Sequence, residues 1–182
     1  MPERRLVTIV GLIALHSGSL ERLAGDLEGL GCGVRRWHCH PSVTRRDCGA
    51  LYLVSDASAG VLHELGRAEE AEAAIRLAKE SGAPDDIATQ GYWRSAVAEL
   101  AADNGRIAEA ERALGEAIAL VEPTDFLELR RRIFEAQARV EARAGRPDGW
   151  GAALARAIAE YEAKGDIVTP PRLRDRLTAG PA

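Results

Sequence analysis

Aromatic residues make up only 4% of this 182-residue chain, and lysine occurs only at Lys79 and Lys164. With so few aromatics, a core must be built mainly from Ala, Leu, Ile and Val, and apolar residues of all kinds reach 46%. Strand formers are sparse and never alternate with polar residues for long. Alanine, in contrast, is the best helix former. The composition therefore predicts an all-α fold.

The chain also lacks a net positive charge, since its formal charge is −4. General nucleic-acid binders present a basic face, so we expect no nucleic-acid partner. The one dense basic run is Arg130-Arg131-Arg132, with Glu128 and Glu135 close by. This mixture of charges predicts a solvated helix face rather than a phosphate site.

Several functional signatures are missing as well. No G-x-x-x-x-G-K-[ST] phosphate-binding loop occurs, and His16 and His63 have no serine or cysteine nucleophile nearby in sequence. The apolar run after Arg4 and Arg5 is too short to span a bilayer, and no A-x-A-like cleavage site follows it. We therefore expect a cytoplasmic protein that is neither an enzyme nor a membrane protein and that needs no cofactor, with a buried first helix rather than a signal peptide.

What the chain does contain is a repeated glycine pattern. The segment that begins Gly66-Arg67-Ala68 recurs from Gly105 and again from Gly145, at spacings of 39 and 40 residues, and a weaker copy begins at Gly25. A fixed period in this range is typical of stacked repeats, in which each unit buries its apolar face against its neighbours.

Each repeat glycine lies between two segments with helical apolar spacing. The turn glycine suits a left-handed backbone conformation, and each unit reads as an antiparallel helical hairpin. Aspartates mark the starts of the upstream helices, with Asp125 and Glu128 spaced as a capping box and Asp85-Asp86 in a similar place. Thr169 is predicted to cap a short last helix. The apolar stripes downstream of the three glycines are Ala71, Ala74, Ile75 and Ala78; then Ala110, Ala113, Leu114, Ala117, Ile118 and Val121; then Trp150, Ala153, Leu154, Ala157, Ile158 and Tyr161. The stripes upstream of the second and third glycines are Ile87, Val97 and Ala101, then Phe126, Leu129, Ile133, Ala136 and Val140.

These residues resemble the tetratricopeptide repeat. The family's small positions correspond to alanine at eight of nine places, and Trp150 stands at the ninth. The larger apolar position falls on Ile75, Leu114 and Leu154. The resemblance implies a solenoid of antiparallel helical hairpins. The small positions are Ala59, Ala98 and Ala138 in first helices, and Ala71, Ala110, Trp150, Ala78, Ala117 and Ala157 in second helices.

The longer period is similar to that of the helical-repeat region of bacterial adenylate/guanylate cyclase-associated AAA ATPase regulators. This likeness implies a non-catalytic module for protein–protein interaction or regulation, as part of a larger signalling protein or derived from one. Its partner would be a protein, a peptide or a neighbouring domain. A fragment of a cyclase or ATPase enzyme is the alternative, and the missing phosphate-binding loop argues against it.

The family resemblance also implies where a partner would bind, because first helices line the concave groove of tetratricopeptide repeats. Tyr92 is the expected anchor, since aromatic residues and arginine dominate binding hot spots. The predicted groove residues are Asp56, His63, Tyr92, Ser95, Glu99, Asp103, Arg132, Glu135 and Arg139.

One segment departs from the repeat pattern, and the chain is therefore predicted to consist of four regions. Residues 1–30 form an incomplete first hairpin, 31–54 the irregular segment, 55–168 three repeats, and 169–182 a capping helix and tail. The irregular segment holds every cysteine of the chain. A zinc site, a redox switch and an irregular insertion are all compatible with it, and we favour the insertion because no C-x2-C or H-x3-H pair is present. The zinc ligands would be Cys32, Cys39, His40 and Cys48.

Overall fold

The computed structural model describes residues 66–181, and every regular element in that range is an α-helix. The prediction of an all-α fold is thereby confirmed for this part of the chain. Residues 1–65, which include the first hairpin, the irregular segment and the first part of the predicted three repeats, lie outside the described range. The helices are α1 (Ala68–Ser81), α2 (Ile87–Asp103), α3 (Ile107–Val121), α4 (Leu127–Arg143), α5 (Pro147–Ala163) and α6 (Thr169–Ala179).

The chain divides into two compact units at the Thr89–Gln90 bond, near the start of α2. The described part of the first unit consists of α1 and the first residues of α2. In α1, Ala71 and Ala78 are fully buried and lie on the predicted stripe. Arg67 pairs with Glu70 in the first turn of this helix.

The second unit holds most of α2 and all of α3 to α6. Consecutive helices pack together in the pairs α3–α4, α4–α5 and α5–α6. One apolar cluster joins α2, α3 and α4, with Leu129 and Ile133 of α4 at 0% exposure. A second cluster joins α4, α5 and α6 through Trp150, Leu154 and Leu173. Helix α4 therefore contributes to both cores.

The repeat glycines end their helices in the way that the sequence predicts. Gly105 and Gly145 have φ values of +74° and +70°. After α2, the Gly105 amide donates to the Ala102 carbonyl at 2.9 Å, and the next amide reaches back to Ala101 at 2.8 Å. The same two bonds recur at Gly145. This pair of bonds is a Schellman motif, which satisfies carbonyls at the helix end and needs a residue that tolerates positive φ.

The predicted apolar stripes are confirmed in α3 and α5. In α3, Leu114, Ala117 and Val121 are buried and Ile118 is half-buried, and every member of the α5 stripe is buried. Trp150, which replaces a small residue of the family pattern, is only 6% exposed. Eight of the nine small positions are described, and all eight are buried: Ala71, Ala78, Ala98, Ala110, Ala117, Ala138, Trp150 and Ala157.

The stripes predicted upstream of the glycines are only partly right. Phe126 is 37% exposed because it precedes the first residue of α4, and Ile87 is 39% exposed because it is the first residue of α2. From Ser95 to Ala102, α2 is buried on nearly all sides, with only Val97 half-buried. Because Ser95 and Glu99 are buried along with the apolar residues, the apolar pattern alone does not mark the buried surface of α2, and the predicted stripe is too narrow.

Two helices begin with the same aspartate cap. Asp86 Oδ1 accepts from the amides of Ala88 and Thr89 at 3.1 and 3.3 Å, and its Oδ2 accepts from the Thr89 hydroxyl at 2.7 Å. Asp166 makes the same three bonds to Val168 and Thr169. Helix α6 begins at Thr169, so the prediction that Thr169 is its N-cap is wrong, and the side chain that satisfies the amides at this helix start is that of Asp166.

The capping box predicted between Asp125 and Glu128 is also wrong. Helix α4 begins without a side-chain cap, and Thr124 Oγ1 accepts from the Phe126 amide at 3.3 Å instead. Glu128 is engaged elsewhere, by Arg131 and Lys164. These two ion pairs hold the Glu128 carboxylate away from the start of α4.

The Asp166 cap predicts a pH-dependent helix end. Burial acts to raise the pKa of Asp166, but the hydrogen bonds from Thr169 and Val168 outweigh it and hold the pKa below the ordinary value of 3.8. A depressed pKa means that the stabilisation is complete above pH 3.8 and is lost as the pH falls below it. Asp166→Ala should cost about 1 kcal/mol at pH 7. Asp166→Asn, which keeps one acceptor oxygen but loses the charge and the second acceptor, should be less stable than wild type at pH 7 by less than the alanine variant is, and should show a flatter stability profile below pH 4. Urea unfolding at several pH values measures both, and identical profiles for wild type and the asparagine variant would contradict the assignment.

Two glycines in helix interiors provide a matched test of packing. A Cβ on Gly91 would lie 2.9 Å from Cδ2 of Leu129, a fully buried side chain that would have to shift within the core, whereas a Cβ on Gly115 would meet no atom of another residue within 4 Å beyond its own helix backbone. Gly115→Ala should stabilise the protein by about 0.5–1 kcal/mol through helix propensity. Gly91→Ala should destabilise it by about 1 kcal/mol, because overpacking exceeds that gain. Denaturant unfolding compares them, and equal shifts would show that the α2–α4 contact is looser than described.

Candidate functional site

The structure brings together most of the predicted groove residues that it describes. Tyr92, Ser95, Glu99 and Asp103 follow one another at helical spacing on α2, and Arg132, Glu135 and Arg139 do so on α4. Asp56 and His63 lie outside the described residues. The α2 and α4 sets meet through side-chain ion pairs.

These ion pairs form one continuous chain of alternating charge. Arg132 donates to both carboxylate oxygens of Glu99, at 2.8 and 2.7 Å. Arg139 lies between the two acids, with Nη1 4.0 Å from Glu99 and Nε 3.6 Å from Asp103. Arg143 Nε closes the chain on Asp103 at 2.5 Å. We refer to Arg132, Glu99, Arg139, Asp103 and Arg143 together as the ion-pair chain.

Two of the predicted groove residues are buried. Ser95 and Glu99 are 1% and 4% exposed. The Ser95 hydroxyl donates to the Tyr92 carbonyl at 2.7 Å, and this bond satisfies its polar group within the helix. Glu99 can be buried because the bidentate bond from Arg132 compensates its charge. Tyr92 is half-buried and packs against the α2–α3–α4 core, so its ring contributes to the fold as well as to the surface.

Glu135 belongs to a neighbouring cluster at the end of α5. Its carboxylate accepts from the Tyr161 hydroxyl at 2.5 Å, and that hydroxyl accepts from Arg131 at 2.6 Å. Burial and then the Glu135 charge raise the pKa of Tyr161, while Arg131 acts in the opposite direction. Tyr161 is thus a neutral phenol that links α4 and α5, and Glu135 is one of its partners.

The arginine run of α4 is not the solvated face that the sequence predicts. Its three members are 25%, 18% and 14% exposed at their side chains. Arg130 pairs with Glu160 of α5 at 2.8 Å, Arg131 binds Tyr161, and Arg132 binds Glu99 of α2. Successive residues of a helix point about 100° apart, so three adjacent arginines reach three different places. The run therefore joins helices instead of forming a basic patch.

Sequence reasoning placed Glu99 and Asp103 in the groove but missed their pairing with arginines, and it missed Glu160 and the Asp166 cap altogether. For the cap a signal was present, because Asp86-Ile87-Ala88-Thr89 and Asp166-Ile167-Val168-Thr169 share the pattern Asp-Ile-x-Thr. For Glu99 no local signal exists, since its partner Arg132 is 33 residues away.

The proposed zinc ligands Cys32, Cys39, His40 and Cys48 lie outside the described residues. Within residues 66–181, no group of three or more His, Cys, Asp or Glu side chains is arranged to hold a metal ion. Over the same range, no helix combines the length and apolar character needed to cross a membrane.

Comparisons with models of known protein families, with curated proteins and with solved structures find no match for the chain.

Proposed function

We propose that the protein is a non-catalytic helical-repeat module for protein–protein interaction or regulation. In this proposal it is a tetratricopeptide-like solenoid of antiparallel hairpins, acts in the cytoplasm and forms part of, or derives from, a larger signalling ATPase or cyclase. The observation that carries the proposal is the 40-residue spacing of the Schellman turns at Gly105 and Gly145, each of which follows one buried helix and precedes another. The same two bonds also occur at Gly165, at the end of α5, so the spacing and not the turn alone marks the repeat.

Burial at the repeat positions supports the same reading. Ala110, Ala117 and Ala157 are fully buried where the family places small residues, and Leu114 and Leu154 are buried where it places larger ones. Small residues at these positions let helices approach closely. Consecutive helices also pack in sequence order, as short connections between neighbouring helices require.

The ion-pair chain supports a binding surface on the first helices. It fixes charged side chains of α2 and α4 in a defined arrangement, and a surface ordered in advance loses less entropy when a partner binds. Arg139 and Arg143 keep side-chain exposures of 32% and 50%, so a partner can reach them.

Site-specific photocrosslinking tests the proposal. A benzoylphenylalanine is placed at Arg143, on the first-helix face, or at Ala155, an exposed position of α5. We expect a discrete crosslinked partner from position 143 only. The same products from both positions, or none from either, would refute a groove-bound partner.

Calorimetric titration with ATP and GTP tests the alternative of a cyclase or ATPase fragment. An interaction module is expected to give no heat of binding. Saturable binding of either nucleotide would favour the enzyme fragment and count against the module.

A further inference from the structure

The ion-pair chain presents its cations to solvent and its anions to the interior. The side chains of Glu99 and Asp103 are 5% and 16% exposed, whereas those of Arg139 and Arg143 are 32% and 50% exposed. The ion-pair chain itself contains three arginines and two carboxylates. A molecule that approaches this part of the surface therefore meets guanidinium groups first.

Arg139 differs from its two neighbours in how its donors are used. Arg132 makes a bidentate bond to Glu99, and Arg143 makes a short bond to Asp103. The two acid distances of Arg139, 3.6 and 4.0 Å, are those of an ion pair and exceed those of a hydrogen bond. Within residues 66–181 its guanidinium has no hydrogen-bond acceptor. The acids on either side orient this group without occupying its five N–H donors.

We propose that Arg139 is the anchor for an acidic side chain, an aspartate or glutamate, of a bound protein partner. The inference rests on the proposed function and specifies the chemistry of the partner at this surface. A guanidinium that is already held in place can take a carboxylate in a bidentate pair, at a smaller loss of side-chain freedom than a mobile arginine.

The surrounding charges favour a carboxylate over a more highly charged group. Glu99 and Asp103 lie beneath the guanidinium and repel any anion that binds above it. This repulsion grows with the charge of the ligand, so a singly charged carboxylate is tolerated better than a phosphate group that carries nearly two charges. The carboxylate of the partner would add one more negative charge to the ion-pair chain, in which arginines and acids already alternate.

A selection followed by a binding cycle tests this proposal on the full chain. Random twelve-residue peptides displayed on phage are selected on the wild-type protein. The affinity of the consensus peptide is then measured by fluorescence anisotropy. The cycle pairs Arg139→Gln with replacement of the peptide's acidic residue by its amide. Arg112→Gln, at an exposed position of α3, is the control for loss of one positive charge.

We expect an invariant Asp or Glu in the selected peptides, and about tenfold weaker binding for either single change. The two changes together should cost little more than one, because each removes the same contact. Arg112→Gln should leave the affinity within about twofold. Additive losses, or a consensus without an acidic residue, would overturn the anchor while leaving the interaction module in place. Failure to enrich any peptide would count against the module itself and, with it, the anchor.

Discussion

Replacing Ala117 by aspartate is expected to unfold most of the protein at room temperature. Ala117 is 0% exposed and belongs to the core cluster that joins α2, α3 and α4. A carboxylate at this point would be buried in the apolar cluster that includes Leu114 and Ile133. The expected cost is about 4 kcal/mol or more, a large part of the stability of an ordinary domain.

Ala119→Asp is the matched control for this change. Ala119 lies on the same helix two residues later and is exposed, so the same substitution should cost about 1 kcal/mol or less, mainly through helix propensity and the helix dipole. Circular dichroism during thermal unfolding compares the variants. If both melt at the same temperature, the inward face of α3 has been assigned wrongly.

The second large effect is expected at the buried end of the ion-pair chain. Arg132→Ala removes the two short bonds to Glu99, whose side chain is only 5% exposed. Loss of one partner of a buried pair destabilises strongly, because the remaining charge stays in a poorly solvated place. We expect a loss of about 2–3 kcal/mol, since Arg139 still lies 4.0 Å from Glu99.

Arg143→Ala gives the comparison within the same chain of charges. Its pair with Asp103 is equally short, but its side chain is 50% exposed, so the loss should remain below about 1 kcal/mol. Urea unfolding of both variants at neutral pH measures the difference. Similar losses would mean that burial does not set the strength of these pairs.

The parts of the fold that could be predicted are those encoded by local periodicity. Helices α3 and α5 each carry one apolar stripe, and the turn glycines need a backbone conformation that few other residues adopt. These features depend on residues close together in sequence. The full buried surface of α2 was not predicted, because alanines are buried on several sides of this helix and the sequence pattern changes little from one side to another.

The sequence predicted where the candidate site lies, but it did not predict that the charged side chains of the site pair with one another. Family spacing places Glu99, Arg132 and Arg139 on first helices, and the structure does bring them together. Their mutual pairing depends on the packing of α2 against α4, which connects residues more than thirty positions apart. The same cause explains the arginine run, because Arg130 and Arg131 find partners about thirty residues later on α5, and Arg132 finds its partner 33 residues earlier on α2.

Helix α6 is expected to be less stable than the other helices because it packs on one side only. Its buried residues are Thr169, Pro170 and Leu173, and within residues 66–181 it packs mainly against α5. An element with few buried contacts opens at a lower free energy than the rest of a domain. Such an opening would lift Leu173 away from Trp150, which is 6% exposed in the closed form. In a chain with Trp37 and Trp93 replaced by phenylalanine, the Trp150 indole therefore reports fraying at this end, and its fluorescence should shift before the remaining helices melt.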